Sequence, residues 1–499
     1  MKINKKQLLF VLAVTFIVGF TVHGFCYFNG LLSHDSLLVN AAEDYMHQFE
    51  IGRFMQPLYT SVRGTIIMPS IIGVLQLLFI GLMAYAILDL LEIKNKINQI
   101  IIICVLVTNY TVSLTNATYI CCSDIFALAN LLSVLSVYLY YKNTNKYRYI
   151  ICILLMVMSL GLYQSGFQVG VALCMIVSIR YLLINNDYKK VLKEGTKVIV
   201  LLIASLLLYI TVNKMVLIVI GAVQSDSYNS IGNISKIYNL NAWIKGFKET
   251  IAMEYMWFIG RGTVNDNLFF IVNSLLFVLS LVYILRIVIN CKFKKQSTIV
   301  LVALIILAPI GFGIIGIMSF GVVHDLMIYS YFLTYVITIM LIEIAGIKVI
   351  NIYVYILIVL LLFSNVTYAN TIYMKKYLEC DATLTLTSRI IYRIESIDEY
   401  IPGNNAVVFV GDISDNNLLN DVRPYFDRFE YTGLYESYGL TYYAIIKSYI
   451  VDYLGYPMNI LDKEYAVKFA GKEEVKNMPL YPNKGSIEMI DGVVVVKLG

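Results

Sequence analysis

The chain has 499 residues, 59% of them hydrophobic and 14% charged, with a formal net charge of +5 and a mean hydropathy of +0.74. Soluble domains carry about a quarter charged residues, so most of this chain belongs in lipid and its positive charge is no sign of a nucleic-acid partner. Its eight cysteines make no disulfide framework. Cys26, Cys104, Cys152 and Cys174 fall in hydrophobic spans as small apolar groups, and the adjacent Cys121 and Cys122 lack metal-ligand spacing.

The first segment, MKINKKQLLFVLAVTFIVGF, sets basic residues before an apolar run, as a signal peptide does. No small-x-small cleavage site follows and the run continues to about Tyr27, which predicts a retained transmembrane helix. Further apolar runs approach or exceed the roughly 20 residues that cross a bilayer as a helix. The spans predicted are 8–28, 66–90, 98–116, 125–141, 149–165, 167–184, 197–222, 268–289, 298–320, 326–345 and 349–368, about 11 transmembrane helices with boundaries loose by a few residues.

Placing the N-terminus in the cytoplasm puts Lys2, Lys5, Lys6, Lys94, Lys96, Lys142, Lys146, Arg148, Arg180, Lys189, Lys190, Lys193, Lys197, Arg286, Lys292, Lys294, Lys295 and Lys348 inside. The opposite loops hold only Arg53, Arg63, Lys236, Lys245, Lys248 and Arg261. That asymmetry is the positive-inside pattern, and an odd number of helices then sends the C-terminus outside. The outer side carries the polar features: Ser33 to Tyr59, the NATYICCSD loop, the tight YQSGF turn, a long loop from Gln224 to Asn267, and GVVHD at 321–325.

Beyond Tyr368 the composition becomes mixed. AVVFVGD at 406–412 and GVVVVKL at 492–498 read as short strands and 374–400 as a helix, after a linker-like stretch near 369–374. The predicted organisation is a membrane core over 1–370 and a small extracytoplasmic α/β domain over 371–499. No phosphate-cradling Gly-rich loop with Lys, no GxGxxG after a strand and no HExxH is present, so an ATP-driven pump and a zinc protease lack support. The GFGIIG run at 311–316 reads as close helix packing by small residues.

In the first outer segment, Leu37, Leu38, Ala41, Tyr45 and Phe49 share one helical face, while Glu43, Asp44 and Gln48 point elsewhere. That pattern describes an amphipathic helix in the outer interface, with Asp35 or Ser36 as its cap. Arg53 stands on the outer side against the prevailing bias and precedes the nearly apolar FMQPLY. A charge held near lipid costs about 2.5–3.5 kcal/mol even on a lenient scale, so it generally has a partner or a task.

An acidic residue after the first span, a helix, and then Gly-Arg before the second span resembles the GtrII glucosyltransferase family. The matching pieces are His34-Asp35-Ser36, Gly52-Arg53 and the turn Leu162-Tyr163-Gln164-Ser165, within a likeness covering most of 1–370. One departure is His-Asp where two acidic residues are expected, which leaves open whether Asp35 serves alone or Glu43 or Asp44 completes the acidic pair. The resemblance implies an α-helical polytopic membrane enzyme of GT-C architecture. It would move a hexose, by the family name glucose, from a polyprenyl-phosphate donor to a cell-surface glycan such as an O-antigen or wall polysaccharide, with inversion and without a nucleotide.

That reaction needs a carboxylate to take the acceptor hydroxyl's proton and cations to stabilise the departing phosphate. The expected base is Asp35. Asp124, at the outer start of the fourth span, is the second acid, able to orient the acceptor or help hold a divalent cation, and is equally a helix cap at Ser123-Asp124. Arg53 is first choice for the donor phosphate, because a guanidinium grips two phosphate oxygens at once. Arg261 and Lys214 follow, and Lys214 also suits simple snorkelling. His34, Tyr163 and Gln164 are the expected substrate contacts, although Tyr163 and Gln164 also fit interface anchoring. The metal question stays open, since carboxylates without a His cluster favour Mg2+ or Mn2+ over zinc and a metal-free site using Arg53 is equally compatible. The competing class is a flippase or transporter of lipid-linked sugars. Transporters tend to show repeated halves and polar groups near mid-membrane, whereas here the polar groups gather at one face.

Overall fold

The computed structural model describes residues 4–31, 33, 36–37, 45–225, 239–258, 267–345, 347–419 and 443–499. It is mostly helical and divides into two compact units: Met1–Phe28, Tyr45–Asn116 and Cys122–Asn370 form one, and Asn29–Asp44, Ala117–Cys121 and Thr371–Gly499 the other.

The first unit runs through helices α1 (Lys5–Asn29), α2 (Tyr45–Glu50), α3 (Met55–Arg63), α4 (Pro69–Leu90), α5 (Lys96–Thr108), α6 (Tyr110–Thr118), α7 (Ser123–Lys142), α8 (Arg148–Leu162), α9 (Gly166–Asn185), α10 (Tyr188–Ile220), α11 (Leu240–Phe258), α12 (Asn267–Asn290), α13 (Lys295–Phe312), α14 (Ile314–Met318), α15 (Leu333–Ala345) and the first part of α16 (Lys348–Glu395). Each predicted span is occupied by helix. Among the described residues nine helical stretches are long and apolar enough to cross a membrane, and Arg148–Leu162 and Tyr329–Ala345 are shorter apolar helices. The chain is a membrane protein.

α7 is the hub of this unit, packed against α4, α8 and α9. Apart from Asp124 and Asn130, its buried residues are accordingly apolar or small, and they lie on every side of the helix. Ser159 Oγ donates to Ala129 O (2.7 Å) and Ser136 Oγ to Cys152 O (2.8 Å), close approaches that small residues permit.

Two expectations are corrected. The segment 224–267 is not wholly loop, because α11 occupies Leu240–Phe258. Among its described side chains it buries a narrow line, Gly246, Thr250, Glu254 and Trp257, a face too thin and too polar to show as an apolar run. The line packs on the GFGIIG segment as small-residue packing requires: a Cβ on Gly246 would lie 2.9 Å from Ile317 O, and one on Gly316 would lie 2.5 Å from Thr250 Oγ1. The linker-like stretch at 369–374 is helical, within the continuous α16. No Gly or Pro occurs from Lys348 to Ile401, so falling hydropathy there changes the helix's surroundings without breaking it.

The second unit holds a four-stranded sheet, β1 (Ala406–Val410), β2 (Asn459–Ile460), β3 (Ile487–Ile490) and β4 (Val493–Lys497), in the order β2-β1-β4-β3. β1 lies parallel to β2 and β4, and β3 and β4 form an antiparallel hairpin. The hairpin turns at Asp491-Gly492, both with positive φ, the Asp-Gly choice that matches strand twist. Val407, Phe409, Val494 and Val496 pack on Ile390, Ile394 and Ile446, and Val408, Val410 and Val495 pack on Phe469, Val475 and Met478. Both faces are covered, which is why the strands read as unbroken apolar runs.

Candidate functional site

The site is built in the first unit around the turn between α2 and α3. Gly52 ends α2 with φ +82°, a left-handed closure that glycine makes without strain. Gln164 Nε2 donates to Ile51 O (2.8 Å), and the Tyr209 hydroxyl donates to Gly52 O (3.0 Å). Gln164 also reaches Tyr209 Oη at 3.3 Å. A Cβ on Gly52 would lie 2.5 Å from that hydroxyl and 3.2 Å from Gln164 Nε2, so glycine is required by space as well as by backbone angle.

The latch sets the next residue. The half-buried Arg53 guanidinium lies over the Tyr163 ring at 5.1 Å, and Tyr163 stacks face to face on Phe126, centroids 3.8 Å apart and planes 15° from parallel. A cation over an aromatic face is worth about 0.5–2 kcal/mol, more when desolvated. The Gly-Arg and Tyr-Gln-Ser motifs, more than a hundred residues apart in sequence, are therefore one structural device.

A second cluster joins α3 to the start of α7. Arg63 Nη1 donates to Asp124 Oδ1 (2.7 Å), Tyr59 donates to Asp124 Oδ2 (2.8 Å), and Ile125 N donates to Oδ1 (2.9 Å). The Arg63 and Asp124 side chains are only 3% and 0% exposed. Tyr59 and Arg63 stand four residues apart and so share a helical face, and Gln56 Nε2 contacts Cys122 Sγ at 3.2 Å one turn earlier. Burial, and then the adjacent Asp124 charge, raise Tyr59's ionisation above the ordinary phenol range, so it remains a neutral donor. Both oxygens of Asp124 are thereby engaged.

Beside the Phe126–Tyr163 stack is a crevice of about 20 Å3, whose polar lining includes Gln76, Thr111, Ser123, Asn130 and Ser165. It has room for about one water molecule, with hydroxyl and amide partners around it. Lys214 is exposed on α10; five residues past Tyr209, it sits about 140° around the helix from it, away from the Gly52 latch. His324 and Asp325 lie half-buried at a short turn, where burial lowers the ionisation of the imidazole. His34, Asp35, Glu43, Asp44 and Arg261, with most of the predicted interfacial helix, lie outside the described residues. Among the described residues no three His, Cys, Asp or Glu side chains gather as a metal-binding group.

Sequence reading missed Tyr59, Phe126 and Tyr209. Arg63 carried a signal, as a cation just before an apolar run, as Arg53 does; Tyr209 carried none, because its partner is distant in sequence.

The family model for glucosyl transferase GtrII matches residues 24–342, well over half of the chain. The chain belongs to the GtrII glucosyl transferase family. No curated protein and no solved structure matches it. The match encloses Gly52-Arg53, Arg63, Asp124, the Tyr163-Gln164 turn and Tyr209, so every element of the latch and of the ion-pair cluster lies inside the GtrII region. Family membership and the run of long apolar helices together make this GtrII member a membrane glycosyltransferase, with glucosyl transfer as the implied chemistry.

Proposed function

We propose that this GtrII-family protein transfers glucose from a polyprenyl-phosphate donor to a surface glycan at the extracytoplasmic face of the cytoplasmic membrane. The acceptor hydroxyl attacks the anomeric carbon as the bond to the donor phosphate breaks, inverting the configuration. Asp35 accepts the hydroxyl proton, with Glu43 or Asp44 as the accompanying acid, and Arg53 meets the phosphate that leaves. The observation that supports this reading is the Arg53 latch: a turn fixed by Gln164 and Tyr209 holds a guanidinium on an aromatic platform. Preorganised cations of this kind favour charge that grows in the transition state. Asp124 serves the site indirectly, by fixing Arg63 and Tyr59. His34, Tyr163 and Gln164 contact the sugar or donor, and Arg261 and Lys214 are the remaining candidates for the phosphate.

In this reading the N-terminus is cytoplasmic and the sheet-bearing unit extracytoplasmic. No observation favours a flippase over the transferase chemistry of the family. The test is purified protein in detergent with a polyprenyl-phosphate glucose donor and a glycan acceptor. Product should form without a membrane gradient, Asp35→Asn should abolish it without loss of folded protein, and Arg53→Ala should raise the donor KM. Full activity in Asp35→Asn removes that residue from the base role, and an unchanged donor dependence in Arg53→Ala removes the phosphate contact.

A further inference from the structure

A second feature of the first unit lies at the basic ends of α8 and α10. A groove of about 760 Å3 runs between these helices, within the size range of small-molecule sites. Its walls are Ile153 on α8 and Val200, Leu201 and Ala204 on α10, and its mouth carries Lys193 and Lys197. Arg148 stands beside the mouth, its guanidinium 4.9 Å over the ring of Tyr149, which also lines the groove. One carboxylate is near. Glu194 accepts from Lys197 (2.7 Å) and from the Tyr140 hydroxyl (2.8 Å), which holds it to that side of the helix. Lys193 is exposed and enters no ion pair among the described residues, so the mouth keeps a net positive charge.

The dimensions fit one kind of occupant. From Lys193 to Ala204 the α10 helix advances about 16 Å at 1.5 Å per residue. That is about half of the roughly 30 Å hydrocarbon thickness, the depth of one leaflet. A cationic mouth at the membrane surface over an apolar trough one leaflet deep matches a phosphate headgroup carrying an acyl chain, and basic pockets between spanning helices recognise anionic lipids in this way.

We infer that the α8–α10 groove is a binding site for an anionic phospholipid, its phosphate at Lys193 and Lys197 and one acyl chain along Ile153, Val200, Leu201 and Ala204. The site is separate from the Arg53 latch and does not depend on the catalytic reading or on the proposed orientation.

The experiment is native mass spectrometry of the full chain released from vesicles of equal phosphatidylglycerol and phosphatidylcholine. Wild type should retain phosphatidylglycerol in preference, and added salt should weaken the preference. Lys193→Gln with Lys197→Gln should reduce the anionic adduct at least fivefold while the protein stays monodisperse. Ala204→Trp, which fills the trough and leaves the charges in place, should reduce it similarly. Lys5→Gln with Lys6→Gln, an equal loss of charge at the exposed start of α1, should leave it unchanged. Equal retention of the two lipids by wild type overturns the inference. So does undiminished retention in the Lys193/Lys197 variant, or an equal loss in the Lys5/Lys6 control, which would reduce the effect to net charge.

Discussion

The Gly52 latch can be tested with one methyl group. Gly52→Ala places a Cβ at φ +82°, 2.5 Å from the Tyr209 hydroxyl. The left-handed backbone costs an L-residue about 1–2 kcal/mol, and displacing Tyr209 forfeits its hydrogen bond to Gly52 O, about 0.5–1.5 kcal/mol. If the turn instead moves, Arg53 leaves the Tyr163 ring. Together these terms destabilise by about 2–3 kcal/mol, a large share of the 5–15 kcal/mol that holds a typical fold. Thermal unfolding in detergent should show a lower midpoint, and the donor KM should rise because the guanidinium is no longer fixed. Tyr209→Phe removes the colliding oxygen, so the cost of Gly52→Ala should be smaller in that background, by a double-mutant cycle. An alanine variant as stable and active as wild type would refute the latch. A cost identical in both backgrounds would refute the steric part alone.

The buried ion pair gives a second test: Asp124→Ala strands Arg63 at 3% exposure and should cost about 3–5 kcal/mol, whereas Arg63→Met with Asp124→Leu should recover most of the stability in thermal unfolding; no loss in the single variant contradicts the pairing. Glu254, buried on α11, provides a pH test. Burial raises its ionisation well above the usual 4.5, so the folded protein keeps a proton that the unfolded chain releases above that pH. Stability therefore falls as pH rises from there, and Glu254→Gln should gain on wild type progressively as the pH is raised above 4.5; a constant offset would count against a neutral buried acid. In the second unit, Gly492→Ala meets no neighbouring atom but keeps φ +74°, so it should cost about 1–2 kcal/mol through the backbone alone, measured as earlier unfolding of the hairpin by hydrogen exchange.

Particular residues show where sequence reading ends. Apolar runs long enough to cross lipid mark their own helices, and the AVVFV and VVVV stretches announce buried strands, because burial on all sides needs no pattern beyond hydrophobicity. Helix α11 escaped that logic, since its buried line of Gly246, Thr250, Glu254 and Trp257 mixes small, polar and aromatic groups. The continuity of α16 past 370 escaped it as well, because falling hydropathy and helix termination are different events, and the missing Gly and Pro bear only on the second.

At the site the division is sharper. Sequence by itself marked Arg53 as a charge beside a nearly apolar stretch and Gly-Arg and Tyr-Gln-Ser as the motifs to watch, because transfer costs and local turn chemistry are properties of short segments. Only the tertiary structure decided that Gln164 holds Ile51, that Tyr209 closes the same turn, and that Arg63 occupies Asp124. Those partners lie tens to more than a hundred residues apart, and hydrogen bonds of a few ångströms depend on how helices pack, which no local stretch of sequence encodes.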